Sequence, residues 1–176
     1  LKSLNKGFKQ SFDLLKRFEI YLPFGGGETA DLPDQIRTVD VSGTIVSRVN
    51  FPDAITGRRI EPENFIVGIE SSGKAKYENK ENSGIMCNGL TLARHCLTDE
   101  SYEKKYPEIR DPKGKPYTGK FKLDQELDEV GMTLGGALTS PTRIFSPITR
   151  KILERHKDDI TGIVHNTGGG QTKILR

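Results

Sequence analysis

The stretch FIVGIESSG at residues 65–73 decides the fold class that the sequence predicts. Its first five residues form a short, nearly unbroken apolar run, which is typical of a strand buried on both faces of a sheet. The run leads directly into Ser71, Ser72 and Gly73, which are small polar and flexible residues of the kind that end a strand in a turn. The sequence here therefore predicts a buried strand followed at once by a loop.

Helix and strand patterns alternate on either side of this stretch. Apolar residues at helical spacing predict helices at about residues 4–18, 88–97 and 142–156. Alternating, β-branched residues predict further strands at residues 39–49 and 160–165. Ser140 and Pro141 predict the start of the third helix, because serine caps a helix and proline suits its first position. This alternation predicts an α/β or α+β protein in which mixed sheets pack with helices.

Two segments between these elements indicate how the chain is organised. Residues 50–59 are rich in turn-forming residues and predict a linker. We therefore predict a domain boundary near residue 50, with one domain at residues 1–50 and a second at residues 51–176. Residues 98–130 are charged and punctuated by proline and glycine, a pattern that predicts a solvated insertion loop.

The composition excludes several classes of protein. With 34% hydrophobic and 29% charged residues, the chain has the profile of a loop-rich globular protein and not of a disordered tail. A net charge of +3, with acids and bases interspersed, argues against a nucleic-acid partner. No apolar run approaches the length that crosses a bilayer. The two cysteines and three histidines fit neither a disulfide framework nor a zinc spacing, so we expect a reducing, cytoplasmic location.

Three glycine-containing turns follow apolar runs, at residues 25–29, 71–73 and 167–170. Glycine lets backbone N–H groups approach an anion closely, and small hydroxyls add further donors. One such turn commonly only reverses the chain, but three on a short chain favour phosphate or nucleotide binding. Residues 68–74 have the glycine and lysine spacing of a Walker loop, but Ala75 stands where that loop needs serine or threonine. We therefore reject a Walker loop.

Three further groups are candidates for the same site. Asn88 and Gly89 open the second predicted helix, where free N–H groups and the helix dipole favour an anion, although they would also serve as a simple cap and turn. Glu28 lies between glycines and Thr29, where its carboxylate could hold Mg²⁺ or remain a solvated loop acid. Arg143 could bind a phosphate or pair with an acid near its own helix, and the sequence favours neither role.

Taken in order, these loops resemble the motifs of the aminoimidazole ribonucleotide synthetases, also called phosphoribosylformylglycinamidine cyclo-ligases. Residues 26–33 resemble the GGETAE-x-P signature of that family, and residues 41–44 resemble the strand that follows it. The later matches are residues 71–73 with SSG, 84–89 with G-x-H-S-N-G, 140–145 with A-P-T-R-I-Y, and 165–170 with H-I-T-G-G-G. The resemblance extends from about residue 24 to residue 170.

The resemblance implies a two-domain α/β homodimer that uses ATP and Mg²⁺ to close formylglycinamidine ribonucleotide to aminoimidazole ribonucleotide. ATP would activate the formyl amide oxygen before a nitrogen of the same substrate attacks, so positioning and charge neutralisation matter more than an enzyme nucleophile. The small-molecule nucleotide substrate is then the expected partner, and Glu28 is the candidate Mg²⁺ ligand. The residues implied to bind ATP, phosphate or substrate are Gly26, Gly27, Glu28, Thr29, Ser71, Ser72, Gly73, Asn88, Gly89, Arg143, His165, Thr167, Gly168, Gly169 and Gly170.

The sequence also departs from the family pattern. Met86 stands where the family has histidine and Cys87 where it has serine, so any role of that imidazole falls to another residue. The resemblance places an ATP-binding segment before Leu1 and more chain after Arg176. We therefore expect the end of an N-terminal domain, most of a C-terminal domain, and no activity from these residues alone. Two alternatives stay open: another ATP-dependent phosphoryl-transfer enzyme of the same superfamily, and a non-catalytic nucleotide-binding relative.

Overall fold

The computed structural model describes residues 1–36, 39–86 and 88–175, and its backbone forms two compact units. Both units are discontinuous in sequence. The first consists of Leu1–Leu32, Arg48–Glu61 and Ile144–Ile163, and the second of Pro33–Ser47, Pro62–Arg143 and Val164–Arg176. Each unit contains chain from both sides of residue 50. The domain boundary near residue 50 stays a prediction.

Five α-helices, four short 3-10 helices and two short antiparallel strand pairs form the regular structure of the described residues. The helices are α1 (Lys2–Lys16), α2 (Leu90–Leu97), α3 (Ser101–Lys105), α4 (Leu134–Leu138) and α5 (Ser146–His156). The strands are β1 (Ser72–Gly73) paired with β2 (Asn82–Ser83), and β3 (Glu126–Leu127) paired with β4 (Met132–Thr133). Helices combined with small sheets are consistent with a mixed α/β protein. None of the helices in this part of the chain is both long and apolar enough to span a membrane.

The predicted helices are largely confirmed. Helices α1 and α2 lie within two residues of their predicted bounds. Helix α5 ends at His156 as predicted, but it begins at Ser146 and not at residue 142. The proline that occupies its first turn is therefore Pro147, and the predicted start at Ser140 and Pro141 is wrong. Ser140 has another role, because its hydroxyl accepts a hydrogen bond from the Ser83 N–H at 3.2 Å.

The three predicted strands are wrong. No strand forms at residues 39–49, 65–69 or 160–165, all of which the structure describes. Their apolar side chains are largely exposed, to 98% for Phe65 and 89% for Val46. Alternating apolar residues form a strand only when a neighbouring strand supplies the ladder of hydrogen bonds. The described residues supply no such neighbour to these segments.

The segment at residues 98–130 is only partly the solvated loop that the sequence predicts, because it contains α3 and β3, although most of its residues are exposed. The Phe121 N–H donates to the Leu97 carbonyl at 3.0 Å, which ties the segment to the end of α2. Tyr117 is 3% exposed, and the centre of its ring lies 4.6 Å from the centre of the His95 ring, which belongs to α2. Tyr117 therefore packs against α2, while most of the segment stays exposed to solvent.

The second unit has its core at α4. Leu134 is completely buried and Ala137 is 3% exposed. Strand β2 is bonded to this region by two side chains: the Ser83 hydroxyl donates to the Ala137 carbonyl at 2.7 Å, and the Asn82 amide donates to the Pro141 carbonyl at 2.7 Å. The hairpin that contains the Ser71–Gly73 turn is thereby fixed to the core of its unit.

In the first unit, α1 ends with a residue other than glycine in the left-handed region. Glu19 has a φ of 56°, its N–H donates to the Lys16 carbonyl at 3.0 Å, and the Ile20 N–H donates to the Leu15 carbonyl at 3.1 Å. This pattern is the Schellman arrangement, in which glycine is the preferred residue. The Glu19 carboxylate accepts a hydrogen bond from Arg150 at 2.8 Å, but 73% of its side chain is exposed.

Glu19→Gly is expected to raise the free energy of unfolding by about 1 kcal/mol. A left-handed conformation costs a residue with a Cβ ~1–2 kcal/mol, whereas an exposed ion pair contributes less than ~1 kcal/mol. Urea unfolding measures the change. Glu19→Gln is the control, because it removes the charge and keeps the side chain, and it should not stabilise the protein. Equal stability of the two variants would contradict the prediction.

Candidate functional site

The candidate site in the second unit is built on the hairpin of β1 and β2. Ser72 lies opposite Ser83, and Gly73 lies opposite Asn82. Gly84, which follows β2, has a φ of 77°, and a Cβ built on it would lie 3.0 Å from the Cβ of Ser72. Glycine is therefore required at residue 84 both by the backbone conformation and by the close approach of the two strands.

Both hydroxyls of the Ser71–Gly73 turn are engaged with protein atoms. The Ser71 hydroxyl donates to the Gly84 carbonyl at 3.4 Å, and the Ser72 hydroxyl donates to the Glu70 carboxylate. A bound phosphate would have to replace these acceptors before it could use either hydroxyl. Glu70 also brings a negative charge to the turn, which further disfavours an anion at these hydroxyls.

Arg143 is buried against this turn, with 7% of the residue exposed. Its Nε and one terminal nitrogen donate to the two carboxylate oxygens of Glu78, at 2.8 and 2.7 Å. The terminal nitrogens also donate to the carbonyls of Glu70 at 2.8 Å, Ser72 at 3.1 Å and Gly73 at 2.8 Å. A guanidinium group has five N–H donors, and these five contacts use all of them.

The ion pair shifts the pKa of both partners. Hydrogen bonds from Arg143 lower the pKa of the Glu78 carboxyl, and the same bonds raise the pKa of Arg143. Because the Glu78 pKa is lowered, the stability that this pair contributes is present at neutral pH and is lost only as the pH falls through the acidic range. Of the two roles that the sequence left open for Arg143, the structure supports pairing with an acid. That acid lies at residue 78, not near helix α5.

The third glycine loop approaches the start of α2. Gly169 and Gly170 have φ values of 88° and 54°, which a residue with a side chain rarely adopts. A Cβ built on Gly168 would lie 3.9 Å from the Oδ1 atom of Asn88. Gly89 also has a left-handed φ, of 89°, directly before α2. The structure therefore brings Gly168 and Asn88 close together, as the sequence predicts for two parts of one site.

Lys173 adds a positive charge to this loop. Its ammonium group donates to the Thr167 hydroxyl and, at 3.4 Å, to the His165 carbonyl. The sequence analysis missed Lys173, because it lies outside every motif that we identified. The sequence signal that could have found it is its position, shortly after the Gly168–Gly170 loop. In the structure Lys173 lies on the short 3-10 helix Gly170–Leu175.

The glycine loop of the first unit is open. Gly26 has a φ of 128°, and a Cβ on Gly27 would lie 3.4 Å from the ring of Phe24. Glu28 and Thr29 are exposed, and neither makes a hydrogen bond or ion pair with another described residue. Across the described part of the chain, no group of three or more His, Cys, Asp or Glu residues could hold a metal ion. Mg²⁺ at a nucleotide commonly uses one or two carboxylates with phosphate oxygens and waters, and Glu28 fits that mode as a single ligand.

Comparison with known proteins identifies relatives of the whole chain. It is 32% identical over 177 residues to the phosphoribosylformylglycinamidine cyclo-ligase of Methanocaldococcus jannaschii. The matched region covers 99% of this chain and 39% of that protein. It is 34% identical to the enzyme of the same name from Methanococcus maripaludis strain C7, with coverage of 99% and 38%. The Methanobrevibacter smithii protein of that name is 33% identical over 152 residues, with coverage of 86% and 36%. The resemblance to the cyclo-ligase family is confirmed.

The match is to a part of each cyclo-ligase, because the chain spans between 36% and 39% of the length of these curated relatives. No protein-family model matches the chain. Met86, where the cyclo-ligase motif has histidine, adopts a left-handed φ of 57°. Gly84 and Gly89, on either side of it in the sequence, are also left-handed. Cys87, at the serine of that motif, lies outside the described residues.

The cyclo-ligase-like motifs are therefore placed as follows. Within the second unit, the Ser71–Gly73 turn contacts residue 84 and Arg143, and Asn88 lies near Gly168. One common anion-binding cleft for these residues stays a prediction. Glu28 and its glycine loop belong to the first unit.

Proposed function

We propose that the chain works in an ATP-dependent cyclo-ligase that closes formylglycinamidine ribonucleotide to aminoimidazole ribonucleotide in purine biosynthesis. The observation that carries the proposal is the similarity of up to 99% of the chain to curated proteins with that activity in their names. ATP and Mg²⁺ as cofactors, a homodimer as the working form and the cytoplasm as its location are parts of the same proposal.

The chain's own residues suit a reaction that depends on positioning. The Gly168–Gly170 loop, in which Gly169 and Gly170 are left-handed, is of the kind whose backbone N–H groups bind phosphate oxygens without requiring a charged side chain. Lys173 places a positive charge at the same loop. Mg²⁺ would neutralise phosphate charge when bound, with Glu28 as one of its ligands. A reaction in which two atoms of one substrate join needs this kind of orientation more than an enzyme nucleophile.

The function is tested with the full polypeptide that its gene encodes. Incubation with ATP, Mg²⁺ and formylglycinamidine ribonucleotide is expected to release one phosphate for each aminoimidazole product, which is detected as an aromatic amine. Phosphate release with a different substrate would identify another phosphoryl-transfer enzyme of the superfamily, which Met86 in place of histidine favours as the second candidate. ATP binding without turnover would indicate a non-catalytic relative.

Glu28→Gln is expected to raise the Mg²⁺ concentration that gives the half-maximal rate of ring closure by at least about tenfold. Replacing the carboxylate removes a charged ligand, and a bond to a charged group contributes ~1.5–3 kcal/mol. The measurement is the Mg²⁺ concentration that gives half-maximal rate. Asp34→Asn is the control, because Asp34 is also an exposed acid shortly after the same loop. The same Mg²⁺ dependence in both variants would show that Glu28 is only a loop acid.

A further inference from the structure

We propose that Lys173 and the Gly168–Gly170 loop bind the phosphate group of the ribonucleotide substrate without a metal ion. The Mg²⁺-bound phosphates of ATP are then bound elsewhere in the protein. The inference deepens the proposed function and rests on it for the identity of the substrate. It assigns a direct contact to Lys173, and it gives one glycine loop a single class of ligand, a phosphate monoester.

The ammonium group of Lys173 is held against the loop by two hydrogen bonds. It donates to the Thr167 hydroxyl and, at 3.4 Å, to the His165 carbonyl, although the residue is exposed to solvent. A lysine side chain is otherwise flexible, so these bonds fix a positive charge beside Gly168. An ammonium group has three N–H donors, and one of them remains for a ligand. Among the described residues, Lys173 has no carboxylate partner that would neutralise its charge.

Two backbone N–H groups of the loop are also unused. Gly168 and Gly169 are exposed, and neither N–H donates to another described residue. The Gly170 N–H, in contrast, closes the turn on the Thr167 carbonyl at 2.8 Å. A Cβ built on Gly170 would meet no atom within 4 Å, so there is open space beside the loop. Backbone N–H groups of glycine turns bind phosphate oxygens, and glycine lets the phosphate approach closely.

The sequence around the loop contains no acid. Residues 160–176 include neither Asp nor Glu, and the first turn of α2 has no acidic residue. That turn follows Asn88, whose Oδ1 atom would lie 3.9 Å from a Cβ built on Gly168. Mg²⁺ at a nucleotide takes one or two carboxylates from the protein, and this stretch supplies none. A phosphate monoester carries up to two negative charges at neutral pH, which an ammonium group and N–H donors can bind without a metal.

The glycine loop of the first unit has the opposite charge. Glu28 directly follows its glycines, and Asp31 and Asp34 come shortly after. A carboxylate at such a loop repels a bare phosphate and favours one that carries Mg²⁺. The loop with Glu28 therefore suits ATP with its Mg²⁺, and the loop with Lys173 suits the phosphate of the ribonucleotide substrate. Because that phosphate is unchanged by ring closure, it needs to be bound but does not need a metal to activate it.

The first experiment measures the binding of ribose 5-phosphate to the full polypeptide that the gene encodes, by calorimetry in the presence of EDTA. Ribose without the phosphate is the ligand control. Lys173→Met is expected to weaken binding at least about tenfold, and Lys173→Arg, which keeps the charge, less than about threefold. Lys120→Met is the matched control and should not change the affinity. Lys120 is also an exposed lysine of the second unit, but its ammonium group lies 5.6 Å from the centre of the Phe121 ring.

Salt dependence tests the charge of Lys173 directly. The affinity of the unsubstituted protein for ribose 5-phosphate should fall as NaCl is added, because salt screens a contact between exposed charges. Lys173→Met should show a much weaker dependence on salt. This comparison separates a contact of the ammonium group with the phosphate from a role of Lys173 in holding the loop. No binding in EDTA, binding that is independent of salt, or equal binding by Lys173→Met and the unsubstituted protein would overturn the inference.

The second experiment compares the two phosphorylated ligands in ring closure. In Lys173→Met, KM for formylglycinamidine ribonucleotide should rise at least about tenfold, while KM for ATP and kcat change less than about threefold. A raised KM for ATP with an unchanged KM for the ribonucleotide would overturn the inference, since the loop would then bind ATP. Ribose 5-phosphate binding that depends on Lys173, with no ring closure by the unsubstituted protein, would uphold the phosphate-monoester site and refute only the proposed function.

Discussion

Gly119→Ala is expected to lower the free energy of unfolding by at least about 3 kcal/mol. A Cβ built on Gly119 would lie 2.0 Å from the carbonyl carbon of Leu97, 2.1 Å from its oxygen and 2.4 Å from the Thr98 nitrogen. All three are backbone atoms, so no side-chain rotation can relieve the overlap. The methyl group can be accommodated only if the two segments of backbone separate.

That separation would break the contacts that fold residues 98–130. Asp99 forms a parallel bridge with Gly119, and Thr98 forms one with Phe121. The Thr118 N–H also donates to the His95 carbonyl at 2.8 Å. These hydrogen bonds join the segment to α2 and lie on either side of Gly119. The cost of the alanine is therefore both steric overlap and lost backbone hydrogen bonds.

Urea unfolding of Gly119→Ala is the measurement, and Gly7→Ala is its matched control. Gly7 lies within α1, and a Cβ built on it would meet no atom within 4 Å. Alanine is the better helix former, so Gly7→Ala should stabilise the protein by about 0.5–1 kcal/mol. The two glycine substitutions thus have opposite expected signs. A Gly119→Ala protein within about 1 kcal/mol of the unsubstituted protein would refute the close approach of the two segments.

The local parts of the fold could be predicted from the sequence, and the paired parts could not. Helix α1 is recognisable because its hydrogen bonds and apolar stripe both lie within one segment. A strand needs a partner elsewhere, and the pattern at residues 65–69 gives no information about whether one is present. Residues 98–130 show the opposite error, because their polar composition conceals the one tyrosine, Tyr117, that is buried against α2.

The candidate site shows the same division. The glycines of the Ser71–Gly73 turn and of the Gly168–Gly170 loop were identified from sequence, and Gly73, Gly169 and Gly170 do adopt left-handed conformations. The role of Arg143 could not be chosen from sequence, because its partner Glu78 lies 65 positions away. Nothing in the sequence near Glu78 distinguishes it from the other acids of a polar loop.

The core of the second unit was also missed, and it is the basis of the last prediction. Leu134 precedes two glycines, which are poor helix formers, and α4 is too short for a helical spacing of apolar residues to show. The structure buries Leu134 completely, while its N–H donates to the Gln125 carbonyl at 3.0 Å. Gly135 follows because the chain passes close to Leu123: a Cβ on Gly135 would lie 2.8 Å from the Leu123 oxygen. Close backbone contact on one side and complete burial on the other leave no room for the site to rearrange.

Leu134→Ala is accordingly expected to lower the free energy of unfolding by about 3 kcal/mol, within the ~2–5 kcal/mol range for removing a buried leucine side chain. Leu92→Ala is the control, because Leu92 is a helical leucine in the same unit with 68% of its surface exposed, and its loss should cost less than about 1 kcal/mol. Urea unfolding followed by tyrosine fluorescence compares the two, since the chain has no tryptophan. Because an exposed leucine is already in water before unfolding, only the buried one loses the transfer free energy and leaves a cavity. Equal costs for the two substitutions would mean that α4 is not the core of its unit.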